Sequence, residues 1–308
     1  MTYQQKLQSI IKATGWSQEK LASELNTSFP TLNSWINSKS KPRKKALEGI
    51  DSLFVQIVGS DVISDEELKI AKNSAVKLGI STGQLVNDQE ALDRLILHLT
   101  YHTNTIEGST MTLADVEEVL FNQKVLSNRT AIEQTEARNH QAALLWLLDI
   151  MAKKGADFKI TEKLVLDLHV RLMNGLISNA GQYRRHGVRI LGSSVALSNW
   201  QKIPEKMNEL IGIYQITPED IIDVLARSHA LFEQIHPFSD GNGRAGRLLM
   251  LAQALQFSMY PPLVQRERKQ AYYKYLQIAQ TEKNYKPLEL FVAQSVEYCA
   301  KTLNLKKV

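Results

Sequence analysis

The 308-residue sequence predicts a mainly all-α chain with a small N-terminal domain, and three observations carry that prediction. Glycine (15) and proline (8) together take a smaller share than in an average globular protein, so long uninterrupted elements are expected. Apolar residues recur at three- and four-residue spacing along most of the chain, the period of a helix with one buried face. Strand-like text is scarce. A single β-hairpin is expected over 188–197, where short β-branched or apolar stretches flank Gly192-Ser193-Ser194.

The first helix is read over 3–14, from Leu7, Ile10 and Ile11 and the stop at Gly15. Ser17 then caps a short helix whose buried stripe is Leu21, Ala22 and Leu25. Asn26 turns the chain, and Pro30 suits the first turn of a third helix. There Leu32, Trp35 and Ile36 face inward, leaving Thr31, Asn33, Ser34 and Asn37 toward the outside, with Lys39, Lys41, Arg43, Lys44 and Lys45 directly after. The charge supports a separate module: residues 1–50 hold eight Lys/Arg against three acids, and the other 258 hold 29 of each. The run Ser17-Gln18, Leu21-Ala22, Leu25, Ser28, Leu32, Trp35 and Pro42 resembles the helix-turn-helix of the Cro/repressor family, with Asn26, Ile36 and Ser38 where that family usually has Gly, Glu and Gly. The resemblance implies DNA as a partner of residues 1–55, with Ser28, Thr31 and Asn33 in a major groove and Lys39, Lys41 and Arg43 on phosphate. The alternative is a helical module for dimerisation.

A linker or linking helix is expected over 56–87, with Gly59-Ser60 and 79–83 as its weakest points. The body, 88–308, reads as helices over 88–107, 113–122, 130–154, 161–176, 204–216, 218–235, 243–256 and 269–282. With 44% apolar residues a substantial core is available, which excludes disordered and fibrous classes. The lone Cys299 excludes a disulfide framework or a cysteine-based zinc site. No apolar run approaches the roughly 20 residues that cross a bilayer, and Lys6 and Lys12 interrupt the start. A cytoplasmic protein with no membrane partner is therefore expected.

The chemistry concentrates in His236-Pro237-Phe238-Ser239-Asp240-Gly241-Asn242-Gly243-Arg244-Ala245-Gly246-Arg247. Pro237 ends the helix before it, so His236 stands at a helix end, as the group in the motif able to accept a proton near neutral pH. Gly241 and Gly243 free the backbone, and the apolar run 248–255 makes a buried helix whose N-terminus faces the same loop, the geometry of an anion site. Arg244 and Arg247 occupy that helix's first turns, where cations oppose its dipole unless an anion sits beside them. Asp240 is a hard oxygen ligand of the kind that holds Mg²⁺ together with phosphates. The embedded Gly241-x-Gly243-x-x-Gly246 lacks the preceding strand a dinucleotide fold needs, and no P-loop sequence is present.

This dozen is similar to the signature of the Fic family at every defined position, and the likeness extends to His229, Phe232, Gly181-x-Tyr183-Arg184, Arg268 and Tyr272-Tyr273. It implies a helical Fic-type bundle that transfers AMP from ATP to a Ser, Thr or Tyr hydroxyl of a target protein, the chain itself included. His236 would take the hydroxyl proton, Asp240 would hold Mg²⁺, Gly241, Asn242 and Gly243 would bind phosphate oxygens, and Arg244 and Arg247 would hold the outer phosphates. The segment with Val188, Ile190 and Gly192 resembles the family's flap, which aligns a target strand; a structural cap on the bundle is the alternative. Thr103-Asn104-Thr105-Ile106-Glu107-Gly108 resembles the family's inhibitory motif, and it implies that Glu107 pairs with Arg247 and blocks the outer phosphate site. The same carboxylate could place water to remove AMP. A DNA-binding regulator whose Fic domain senses nucleotide is the alternative function, and a homodimer is one state open to the chain. His98 and His102 have no legible third metal ligand, and a packing role is expected for them.

Overall fold

The structure is a computed structural model and describes residues 2–57, 63–190 and 195–304. Helix is the regular structure among the described residues, and the β-pairing found there is an isolated bridge between Gly79 and Met259.

Helices α1 (Tyr3–Thr14), α2 (Gln18–Glu24), α3 (Phe29–Ile36) and α4 (Lys44–Ile57) build the basic N-terminal module. Thr2, Ser17 and Ser28 each accept a first-turn amide, and left-handed Gly15 closes α1, so the starts and first stop follow from cap chemistry. Leu7, Ile10, Leu21, Leu32, Trp35 and Ile50 fill its core. Asn26 turns the chain after α2 with φ 49°.

The segment expected as a linker carries α5 (Asp65–Val76) and α6 (Thr82–Asn87), while Gly59 and Ser60 lie outside the described residues. These helices are docked. Lys72 on α5 pairs with Asp220 at 2.6 Å and with the buried Glu289, and Ile80 donates to the Ser258 carbonyl. Gly79 lies in the turn between these helices and Gly83 in the first turn of α6, with Leu68, Ala75, Ile80 and Leu85 buried.

The body follows as α7 (Gln89–Ile106), α8 (Leu113–Leu120), α9 (Ala131–Lys154), α10 (Glu162–Leu172), α11 (Ile203–Tyr214), α12 (Ile221–Ile235), α13 (Asn242–Gln256), α14 (Lys269–Glu282) and α15 (Lys286–Leu303). Expected and observed boundaries differ mainly at the ends, and α15 was not anticipated. Helix α13 organises the bundle: every side chain from Arg244 to Leu255 is buried, so it turns no face to solvent and lies at the centre. It packs against α7, α9, α10 and α12.

The expected hairpin over 188–197 lies partly outside the described residues. Val188, Ile190 and residues 195–197 lie outside helix and β-ladder, and Gly192 lies outside the described residues. The two ends of this segment are joined by one side chain: Arg184 donates to the His186 carbonyl at 2.7 Å and to the Ser198 carbonyl at 2.6 Å.

Candidate active site

The motif loop is fixed from below. Phe238 is fully buried, and His169 of α10 stacks on it with ring centroids 3.6 Å apart and planes 3° from parallel. The Gly181 amide donates to His169 Nδ1 at 2.8 Å, so the proton must sit on Nε2, which reaches the Asp240 carbonyl at 2.9 Å. Burial lowers this imidazole to about 4, keeping that tautomer neutral. Asn242 closes the loop from its other end, taking the Phe238 amide on Oδ1 at 2.8 Å and giving Nδ2 to the Phe238 carbonyl at 2.9 Å. Its side chain is thereby held in place by the loop, and its backbone amide stands free at the start of α13. Gly241 turns the chain with φ 76°, where a Cβ would lie 2.6 Å from Met173 Sδ. It leaves α13 without a side-chain cap, so the first-turn amides of Asn242, Gly243 and Arg244 have no partner inside the helix.

His236 stands at the C-terminus of α12 in the left-handed region, φ 49° and ψ 61°. Its Nδ1 is buried without a hydrogen-bond partner, which leaves Nε2 as the working nitrogen. Burial pushes the imidazole below its ordinary value; the Glu233 carbonyl opposes this without reaching hydrogen-bond geometry, and Arg184 adds to it. Asp240 is exposed, and its Oδ1 takes the Gly241 amide at 2.6 Å.

The two arginines are buried, as cations at a helix N-terminus rarely are. Arg244 pairs through Nη1 with Glu136 of α9 at 2.8 Å, and its Nε has no partner. Arg247 gives Nε to Thr103 Oγ1 at 2.5 Å and Nη2 to Glu107 Oε1 at 2.5 Å, while Nη1 has no partner. Glu107 is the C-cap of α7, so the negative end of one helix meets the positive end of another through this pair. Its carboxylate also rests on Gly243, where a Cβ would stand 2.2 Å from Oε1. Burial would raise Glu107, but the charges and hydrogen bond of Arg247, with Arg244 and Lys269, hold it below the ordinary carboxylate value. The carboxylate thus lies against Gly243 in the first turn of α13 and pairs with Arg247, while Arg244 acts on it through charge alone.

Sequence reasoning identified the motif and the Glu107–Arg247 pair but missed Thr103, Glu136, His169 and the clamp role of Arg184. It also missed Glu133, which accepts from the Thr110 amide at 2.6 Å and from the Ser109 and Thr110 hydroxyls, tying the turn after Glu107 to the start of α9. His229 Nε2 and Tyr272 Oη lie 2.6 Å apart in the core, so Tyr272 faces inward, while Tyr273 is 41% exposed. His102 accepts the Arg266 amide at 3.1 Å and stacks on His98, in agreement with a packing role.

In the N-terminal module, Ser28, Lys39, Lys41 and Arg43 are exposed and Thr31 is half-buried. Asn33 is turned inward: its Nδ2 reaches Gln18 Oε1 at 3.1 Å and its Oδ1 takes the Asn37 amide group at 3.1 Å, joining α2 to α3.

Comparison with known proteins agrees with this geometry. The Fic/DOC family model matches residues 159–254, ending just beyond the motif. Protein adenylyltransferase Fic of Aedes aegypti is 30% identical over 207 residues, covering 67% of this chain and 40% of that protein. That of Drosophila willistoni is 26% identical over 251 residues, covering 80% of this chain and 49% of the relative. The chain therefore spans two fifths to half the length of these curated relatives. Among solved structures, Fic-1 (residues 134–508) from C. elegans aligns at a TM-score of 0.63 with 19% identity, covering 97% of this chain and 96% of that one. A Fic family protein from Desulfovibrio desulfuricans aligns at 0.62 with 25% identity, covering 78% and 74%. The helical fold is shared with these structures, and residues 159–254 of this chain are a Fic/DOC domain.

Proposed function

We propose that this chain is a protein adenylyltransferase restrained by its own Glu107. The observation that carries the reading is the carboxylate of Glu107 lodged between Gly243 and Arg247, in the cradle that a nucleotide's outer phosphates would need. The relatives' printed names supply the reaction class. In transfer, the target's hydroxyl oxygen attacks the α-phosphorus of ATP, its proton passes to His236 Nε2, and pyrophosphate leaves. His236 suits this because burial keeps the imidazole neutral and ready to accept. The amides of Asn242, Gly243 and Arg244 with Arg244 and Arg247 would carry the phosphate charge, the positioning and neutralisation on which phosphoryl chemistry depends. Two buried, unpartnered guanidinium nitrogens, Arg244 Nε and Arg247 Nη1, fit a missing anion.

Asp240 fits a magnesium ion in the same sense. Its carboxylate is exposed at the mouth of the cradle, and no cluster of three or more metal-ligating side chains exists among the described residues, so the ion would be shared with phosphates. When bound, it supplies charge neutralisation between phosphates. Removal of AMP, with Glu107 orienting water, uses the same residues. Incubation with ATP labelled at the α- or the γ-phosphate tests the class: transfer of AMP predicts protein-bound label from the α position alone, and label from the γ position would refute it.

A second reading, that residues 1–55 are a helix-turn-helix that binds DNA, is favoured by the exposed Lys39, Lys41 and Arg43 beside α3. With Asn33 engaged inside the module, Ser28 and Thr31 are the remaining base-facing candidates. Changing the three basic residues to Ala should lower the salt slope of DNA binding by about 3; no binding at low salt would remove this reading. The buried, unpaired thiol of Cys299 suits a cytoplasmic setting. Among the described residues no helix is long and apolar enough to cross a membrane.

A further inference from the structure

Arg184 lies in the loop after α10, 2% exposed, and takes no part in the steps above. Its Nε donates to the His236 carbonyl at 2.7 Å, Nη1 to the His186 carbonyl at 2.7 Å, and Nη2 to the carbonyls of Ser198 at 2.6 Å and Ile235 at 3.3 Å. Its own backbone amide donates to the Pro237 carbonyl at 2.9 Å. No carboxylate pairs with it among the described residues. A guanidinium withdrawn from water and held only by carbonyls gives up solvation, so its place is set by the geometry of those acceptors. Ile235 and His236 carry terminal carbonyls of α12, where a cation also suits the helix dipole. His186 and Ser198 are the two roots of the segment that resembles a flap.

The acceptors therefore belong to the two parts that must meet in the transfer step. His236 holds a left-handed backbone conformation, uncommon and strained for a residue with a side chain. The bond to its carbonyl fixes the peptide plane that follows. Ser198 adds a second tie, its amide donating to the Gln234 carbonyl at 3.1 Å.

We propose that Arg184 is a positioning residue that clamps the end of α12 to the chain at His186 and Ser198, setting the direction in which His236 Nε2 meets the target hydroxyl. This rests on the transferase reading above. The clamp also has an electrostatic face. Besides burial, the charged groups that act on the His236 imidazole are Arg184, which lowers it, and Glu107 and Asp240, which raise it; from its own helix the Glu233 carbonyl raises it.

The test uses the full chain with Glu107→Gly as parent, comparing Arg184→Lys, which keeps the charge but cannot span the four carbonyls, with Arg184→Gln, which loses both. Both variants should lower kcat for AMP transfer about tenfold or more with the KM for ATP within about twofold, since the phosphate cradle is built on α13. The acid limb of the kcat profile should stay in place for Arg184→Lys and move to higher pH for Arg184→Gln. Parental kcat in Arg184→Lys, a KM for ATP rising in step with the fall in kcat, or an unmoved limb in Arg184→Gln would overturn the proposal. If the variants do not fold, nitrogen-15 NMR of the unaltered arginine decides: a clamped Arg184 shows separate, slowly exchanging Nη1 and Nη2 signals, and one averaged signal overturns the clamp. That measurement needs no turnover, so a chain that transfers no AMP would refute the transferase reading separately.

Discussion

Single atoms decide much at this site. A methyl at Gly241 would strain a backbone at φ 76° and press on Met173 Sδ, so Gly241→Ala should cost about 1–3 kcal/mol, read by thermal or denaturant unfolding. An unchanged midpoint would mean that the loop relaxes freely. Glu233 makes a different point. Its carboxyl is buried with Oε1 unpartnered, and burial raises it to about 7, Arg247 opposing and Glu107 adding to the rise. A carboxyl raised in the folded state stabilises fully below its unfolded value and loses that contribution as pH climbs through about 7. Glu233→Gln should therefore flatten the dependence of stability on pH between about 4.5 and 7, measured by unfolding across that range; a slope equal to the parent's would place the effect elsewhere.

At the scale of elements, the question is what holds the end of α7 against α13. The Glu107–Arg247 pair closes the contact, but the turn beyond it is held by Glu133 at the first turn of α9, whose carboxyl is lowered to about 2, chiefly by the Thr110 amide. Gly108, with φ 114°, lies between the two anchors. Glu133→Gln should loosen residues 107–110, seen as faster amide exchange there, and raise AMP transfer severalfold; faster exchange without a gain in transfer would show that Arg247 alone keeps Glu107 seated. The sequence exposed one half of this arrangement. Two helix dipoles meeting at Glu107 and Arg247 can be read from local patterns, because each residue sits at the unfavourable end of its own helix. Glu133 could be read only as part of a capping box with Thr130, and its second role depends on a partner 23 residues away.

The whole molecule shows the same division. Helical periodicity, caps and the contiguous motif at 236–247 were legible because each is local in sequence. The docking of α5 and α6, the Arg244–Glu136 pair and the Arg184 clamp were not, because each is made between segments distant in the chain. The hairpin expected over 188–197 lies partly outside the described residues, and beside it Arg184 joins His186 to Ser198 by contacts that local text does not carry. The core also sets a global pH response. His102, His140 and His229 are lowered to about 3 and His169 to about 4, each chiefly by burial. Groups lowered in this way keep the fold stable above their unfolded value near 6.5 and withdraw that stability as pH falls toward the folded values. Between pH 7 and 5 each contributes a loss of up to about 2 kcal/mol, more together than Glu233 regains, so the melting temperature should fall by about 10 °C. A melting temperature that is level or rises toward pH 5 would contradict the neutral, buried state of these rings.

The most direct test of the central claim, that Glu107 restrains a competent AMP-transfer site built around His236, is intact mass after incubation with ATP and Mg²⁺. The unaltered chain, Glu107→Gly and Glu107→Gly/His236→Ala would be compared in parallel. The account predicts a gain of one or more AMP masses in Glu107→Gly, little in the unaltered chain and none in the double variant. No gain in Glu107→Gly, or an equal gain in the double variant, would contradict it.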